Sequence, residues 1–263
     1  MVVAVVALLL VVLIGVITGV AVAIDPTLDL KVAAYFLTAE MLAFTGSVFS
    51  LIHVLRQHNL VFTAAFVLIP MGVLAIKLIW PRGPMLVPAR AALLIVFTFA
   101  LGPGLLVNAI LKPNDPRSRP IAVMELGGEE PFVQWWDWRG ECDGNCSFVS
   151  GEASAAYALL AAAVVVPAPW RYAAIGAVIV YGTGIGLVRM AVGDHFLTDI
   201  IFAGVFTALI VWLLHGYLYR WKRTRLSEET IVRLIERGRA GIGARIAKFR
   251  RATVSAFDTQ APK

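Results

Sequence analysis

An unbroken apolar run from Val2 to Ile24 carries no charged side chain. A span of about 20 such residues is what an α-helix needs to cross the hydrocarbon core of a bilayer. Similar runs recur from Leu60 to Trp80, Ala91 to Leu111, Ala153 to Pro167, Tyr172 to Val188 and Phe196 to Leu218. The fourth is short. Composition agrees: of 263 residues 59% are hydrophobic and 15% charged, and the mean hydropathy is +0.81. Ordinary soluble domains carry about 25% charged residues. These values exclude a disordered chain, a basic nucleic-acid-binding domain and a soluble enzyme. They predict an all-α polytopic membrane protein of six transmembrane helices.

The first run resembles a secretory signal at Ala21-Val22-Ala23. It has no basic n-region and is longer than an h-region of about 7–15 residues, so it reads as a retained span. The segment Asp25 to Asn59 mixes apolar stretches with Lys31, Glu40, His53, Arg56 and His58. That density of charge suits one or two interfacial amphipathic helices rather than a lipid-exposed span.

Charge placement sets the expected sidedness. The net charge is +6, but the stretch from Arg220 to Lys263 holds 12 of the 23 Lys and Arg and only four acids. The rest of the chain is slightly acidic. The division expected is a membrane domain over 1–219, with core motifs in 108–203, and a basic cytoplasmic tail over 220–263. Arg82, Arg90 and Arg171 alternate with that tail as cytoplasmic markers under the positive-inside bias. Both termini then face inward, and the loop Lys112 to Gly151 faces out. It contains Trp135, Trp136 and Trp138, a cluster typical of the membrane interface. Cys142 and Cys146 follow, either as free thiols or as a bridge closing a very small loop. Two cysteines are too few for a four-ligand zinc site.

Ionisable groups at membrane depth default to function. Three clusters fall at the outward ends of spans: Lys112-x6-Arg119-Pro120, then Ser147 to Glu152, then Arg189-x5-His195-x3-Asp199. Lys112, Arg119 and Arg189 supply three cations, two of them planar forks that match tetrahedral oxyanions. Ser150 and Gly151 precede a helix, whose first amides form a phosphate cradle. His195 and Asp199 stand at i, i+4, on one helical face if the segment is helical. A carboxylate on one imidazole nitrogen fixes the tautomer and leaves the other nitrogen as a nucleophile. Each cluster alone has a bland reading as a cap or a snorkelling charge, but their order and shared face point to phosphate chemistry.

Together these motifs resemble the three-part signature of the type-2 phosphatidic acid phosphatase superfamily, over roughly Asn108 to Ala203. The resemblance implies a six-helix lipid phosphatase with an outward active site, no metal and no cofactor. In it Lys112, Arg119, Ser150, Gly151 and Arg189 bind phosphate, His195 attacks phosphorus and Asp199 orients His195. Two positions depart from the pattern. Val188 stands where serine is usual. Glu152 stands where the family has a histidine that protonates the leaving oxygen. A glutamic acid can do this if it holds a proton at working pH. Nearby cations oppose that, whereas burial and the substrate's negative charge favour it. The phrase Cys146-Ser-Phe-Val-Ser-Gly-Glu152 also resembles a bacterial subgroup that includes lipid A phosphatases.

The expectation is hydrolysis of a lipid phosphate monoester, with lipid A as the best single guess. It proceeds through a phosphohistidine in a bacterial inner membrane, at a site facing the periplasm. The expected partner is an anionic lipid substrate, with no nucleic acid and no metal. The alternatives are phosphate transfer to a second lipid, or a non-catalytic lipid-phosphate binder. Arg117 and Arg139 are weaker candidates for a second phosphate or a sugar, and His53, His58 and His215 read as packed or solvated.

Overall fold

The computed structural model describes residues 2–80, 83 and 85–239, the side chains of residues 39, 40, 42 and 44 excepted. Arg82 and the tail bases beyond Arg239 lie outside the described residues, as does the Glu40 side chain. Helices run α1 (Val2–Ile24), α2 (Leu28–Phe36), α3 (Ala39–Ser47), α4 (Phe49–Ile79), α5 (Ala89–Asn114), α6 (Gly151–Tyr157), α7 (Leu160–Ala163), α8 (Arg171–Ala191) and α9 (Leu197–Arg220). Residues 228–239 are helical as well. Among the described residues the one β feature is an isolated bridge between Val123 and Glu130.

Among the described residues five helices are long and apolar enough to cross a membrane: α1, α4, α5, α8 and α9. The expected count of six is not confirmed, because Ala153 to Pro167 folds as the short helices α6 and α7, neither of spanning length by itself. At Leu159 and Ala161 the amides bond three residues back, to Ala156 and Ala158. These tighter turns break the α-helical ladder between the two pieces. The Asp25 to Asn59 expectation also changes. α2 and α3 are short, as expected, but Phe49 to Asn59 forms the first turns of the long α4. His53, Arg56 and His58 therefore ride on a candidate spanning helix.

Burial and exposure follow the apolar patterning. Large apolar side chains on α1 and α4 stay exposed, for example Leu9, Ile17, Val61 and Ile69. That is unfavourable in water and natural in lipid. α1 nevertheless docks on α9. Gly15 faces Val205, where an added Cβ would stand 3.4 Å from Cγ1, and Trp212 Nε1 donates to the Ala4 carbonyl at 2.7 Å. Inside the bundle, α6, α8 and α9 converge on Tyr157. A Cβ at Gly182 would stand 2.5 Å from the Tyr157 ring, so only glycine lets α8 approach that closely, a typical device of membrane helices. At the end away from Lys112, Glu228 accepts the Ala89 and Arg90 amides that open α5. A carboxylate there satisfies orphan N–H groups and the positive end of the helix dipole.

The long loop between α5 and α6 is pinned by Arg117, whose side chain is fully buried. Nη2 donates to Asp29 Oδ2 at 2.7 Å. Nη1 donates to Thr198 Oγ1 at 2.8 Å and to Asp199 Oδ1 at 2.6 Å. Nε donates to the Val133 carbonyl at 3.2 Å, and the guanidinium lies 4.2 Å from the Phe196 ring centroid. Asp29 in turn accepts the Thr198 amide and hydroxyl. One guanidinium thus ties α2, the loop and the start of α9 together. This removes Arg117 from the candidates for a second phosphate, and exposed Arg139 pairs with Asp137 at 2.6 Å instead. Of the three tryptophans of this loop, Trp135 is half-buried. It packs inside, stacked 5.5 Å from Phe148, while Trp136 and Trp138 remain exposed.

Removing one partner of a buried ion pair typically costs about 3–5 kcal/mol, because the other charge stays buried. Asp29→Ala should lower the thermal unfolding midpoint of the detergent-solubilised protein sharply. Asp137→Ala, which removes a solvent-screened pair, should leave the midpoint close to that of the parent.

Candidate active site

Elements distant in sequence meet at one end of the bundle. Lys112 comes from the end of α5, Arg189 from the last turn of α8, Glu152 from the first turn of α6 and Arg56 from the first turns of α4. Arg119 and Asn145 come from the long loop, and Asp194 and His195 from the connection between α8 and α9.

Asp194 organises the two arginines of the signature. Its Oδ1 accepts Arg119 Nη1 and its Oδ2 accepts Arg189 Nη2, each at 2.6 Å. Asn145 organises the other side: its carbonyl accepts Arg119 Nη2 at 3.0 Å, and its side-chain oxygen accepts Lys112 Nζ at 3.0 Å. Asn145 has φ +50, left-handed backbone that asparagine tolerates better than most residues. It lies between Cys142 and Cys146, which form a disulfide. Of the two readings left open for the thiols, the bridge is the one present.

Ser150 caps α6, as the motif suggests. Its Oγ accepts the Ala153 amide at 3.3 Å, and its own amide donates to the Asp199 carbonyl at 3.3 Å. A Cβ at Gly151 would stand 3.3 Å from Asn108 Oδ1 and 3.6 Å from Lys112 Cε. The small residue lets the start of α6 close on Lys112.

His195 and Asp199 do meet, but not by the expected route. α9 begins at Leu197, so His195 lies outside the helix and the two do not share a helical face. The juxtaposition comes from the turn. Gly193 has φ +73, and Asp199 Oδ2 accepts the Phe196 amide at 2.8 Å, folding the chain back over the helix start. His195 Nδ1 then lies 3.5 Å from Asp199 Oδ2, longer than a formed hydrogen bond. Such contacts often tighten only when substrate binds. The same Asp199 oxygen accepts the Ser147 hydroxyl, and Oδ1 is held by Arg117. Asp199 is therefore fixed on both oxygens before it reaches His195.

His195 is buried. Burial holds its imidazole below the ordinary value of 6.5, against the opposing pull of Asp199. Asp115, in the loop behind, is pushed up to about 6, chiefly by burial. Glu152 turns toward cations: Oε1 accepts Arg56 Nε at 2.8 Å and lies 3.7 Å from Arg189 Nη1.

All eight residues singled out in the sequence fall in this region. Reading the sequence missed Arg56, Asp194, Asn145 and Asp29, and gave Arg117 a substrate contact in place of its buried structural role. Asp194 stood next to His195 without a role, and Arg56 was absorbed into an interfacial segment. No local spacing signals Asp29. Among the described residues no group of His, Cys, Asp and Glu forms a metal cluster.

Residues 91–224 match the PAP2 superfamily. A lipid A 4'-phosphatase of Francisella tularensis subsp. novicida is 30% identical over 204 residues, 76% of this chain and 90% of that protein. Lipid A 4'-phosphatases of Rhizobium leguminosarum and Rhizobium etli are 36% and 38% identical, over 44% and 43% of this chain and 49% and 43% of their own lengths. No solved structure matches the chain.

Orthovanadate, a tetrahedral oxyanion, should bind this cluster of cations. Charge-assisted hydrogen bonds contribute about 1.5–3 kcal/mol, so Arg119→Ala and Arg189→Ala should each weaken vanadate about tenfold or more. Arg139→Ala should leave affinity unchanged in the same titration.

Proposed function

The chain belongs to the PAP2 superfamily, and from that premise we propose that it removes the 4'-phosphate of lipid A by way of a phosphohistidine. The observation that carries the reading is the convergence of Lys112, Arg119 and Arg189 around buried His195, itself backed by a doubly anchored Asp199. The 4' position comes from the names of the three relatives.

The chain is a membrane lipid phosphatase, and the steps follow from residue chemistry. Lys112, Arg119 and Arg189, with the start of α6 at Ser150 and Gly151, hold the phosphate and spread its charge over fixed donors. Asp199 takes the Nδ1 proton side of His195, leaving the Nε2 lone pair to attack phosphorus. The N–P bond forms as the P–O bond to the lipid breaks, and Glu152 protonates the departing oxygen. Water then attacks the phosphohistidine, the electron pair of the N–P bond returns to the imidazole, and the water proton returns to Glu152.

A lipid substrate also suits the neighbourhood. An apolar groove of about 720 Å³ runs between α4 and α8, lined by Leu55, Asn59, Phe62, Tyr181 and Ile185 among others. Leu55 adjoins Arg56, and Ile185 lies one helical turn from Arg189. An acyl chain in this groove would leave its headgroup at the cations. We further propose that α6 and α7 complete six crossings and that both termini face the cytoplasm of a bacterial inner membrane. The site then opens to the periplasm. Arg90 and Arg171, at the helix ends away from the site, agree with that sidedness. On this reading 1–219 is the membrane domain and 220–263 a basic cytoplasmic tail.

Phosphate release from lipid A, phosphatidic acid, phosphatidylglycerol phosphate and undecaprenyl pyrophosphate is the direct test. Lipid A should be the best substrate, with loss of the 4'-phosphate visible by mass spectrometry. Preference for another lipid would overturn the substrate assignment. His195→Ala should abolish turnover and leave lipid binding largely intact, whereas Arg119→Ala should weaken both.

The pH profile has a defined sign. With its basicity lowered by burial, His195 stays neutral as pH falls below 6.5. The acid limb of kcat/KM, which reports the free enzyme, should therefore lie below pH 6.5 where it reports His195. A limb at or above 6.5 would mean an imidazole of ordinary basicity.

A further inference from the structure

Arg56 belongs to none of the three motifs, yet it reaches Glu152 across 96 residues of sequence. Its Nε donates to Oε1 at 2.8 Å, and the Arg56 side chain is 45% exposed against 16% for Glu152. Arg189 Nη1 lies 3.7 Å from the same oxygen. The other carboxyl oxygen, Oε2, is buried and makes no hydrogen bond among the described residues. One oxygen of the carboxyl group is thus engaged by guanidinium groups while the other is left unbonded beside the phosphate-binding cations.

Chemistry gives this asymmetry a use. The family's usual histidine at this position has a rigid ring, whereas a glutamate side chain has three rotatable bonds and presents two equivalent oxygens. A proton donor must be aimed at the leaving oxygen within hydrogen-bond reach, and small misplacements are costly. A glutamate doing this work therefore needs an external hold. Arg56 supplies it from a different helix, next to the groove that would take the lipid body.

We propose that Arg56 is the positioning residue of Glu152. It anchors Oε1 so that Oε2 is the atom that gives its proton to the lipid oxygen. The inference rests on Glu152 being the general acid. In the step concerned, His195 Nε2 forms a bond to phosphorus and the P–O bond to the lipid breaks. Its electron pair stays on the lipid oxygen, which takes the proton from Oε2. Arg56 forms and breaks no covalent bond. Its guanidinium keeps the carboxyl group oriented before and after the proton leaves.

The test compares a poor and a good leaving group: lipid A and p-nitrophenyl phosphate, assayed with Arg56→Ala, Arg56→Lys, Glu152→Gln and the Arg56→Ala/Glu152→Gln double variant of the full chain. General acid catalysis is worth about 10²–10⁴ in rate, and Glu152→Gln should lose that much in kcat on lipid A and little on the nitrophenyl ester. Arg56→Ala should lose about tenfold or more in kcat on lipid A, with KM nearly unchanged and the nitrophenyl ester spared. Arg56→Lys should recover part of the loss, and the double variant should be no slower than Glu152→Gln alone. If Glu152→Gln slows both substrates equally, Glu152 is not the acid and the role given to Arg56 falls with it. If Glu152→Gln is selective but Arg56→Ala is silent, slows both substrates equally, or raises KM alone, the acid assignment stands and Arg56 is not its positioning residue. Unchanged unfolding midpoints for Arg56→Lys and Glu152→Gln exclude misfolding as the cause.

Discussion

A single buried guanidinium holds together the end of this bundle that carries the candidate active site. Arg117 has no exposed surface, and a charge there is tolerable only because Asp29 and Asp199 neutralise it and Thr198 and Val133 fill its remaining donors. Asp199 serves two masters in this arrangement. Through Oδ1 it belongs to the structural network, and through Oδ2 it faces His195. Folding of the long loop and alignment of the histidine are therefore one event. A carboxylate held by an arginine, a serine and a backbone amide cannot swing away from the imidazole.

Charge balance at the site follows a similar economy. Arg119 and Arg189 would repel each other if left alone at close range. Asp194 separates and aligns them, one oxygen to each. Lys112 rests on Asn145 and Glu152 rests on Arg56. Every cation that the phosphate would meet is already ordered, so binding spends little conformational freedom on side chains. On the proposed reading an incoming dianion would compete with carboxylates for these donors, which would favour a multiply charged tetrahedral group over a singly charged one.

The sequence made the fold class legible, because long apolar runs admit few solutions. Five of six runs became helices of spanning length. The sixth did not, since small residues and tight turns after Tyr157 break it into two pieces. The candidate site residues were legible as motifs, because their chemistry and order are unusual between apolar runs. What escaped was pairing. Asp29 meets Arg117 across 88 residues and Arg56 meets Glu152 across 96. Helical periodicity cannot reveal partners on different helices. His195 and Asp199 show the opposite case, a spacing that suggested a helix while the contact was made by a turn. The Trp135 ring, expected at an interface, is half-buried because the loop folds it against Phe148 and Phe202.

Glu228 gives the chain a boundary that composition does not show. Basic residues become dense from Arg220 onward, which invites a cut there when a minimal enzyme is made. Yet Glu228 closes the first turn of α5, and α5 is the helix that carries Lys112 at its far end. Shortening the chain before residue 228 would leave α5 with its opening amides uncapped and loosen the rod on which Lys112, the lysine proposed to bind phosphate, is mounted. An engineered version of the protein should therefore keep the 228–239 helix and place any fusion beyond it.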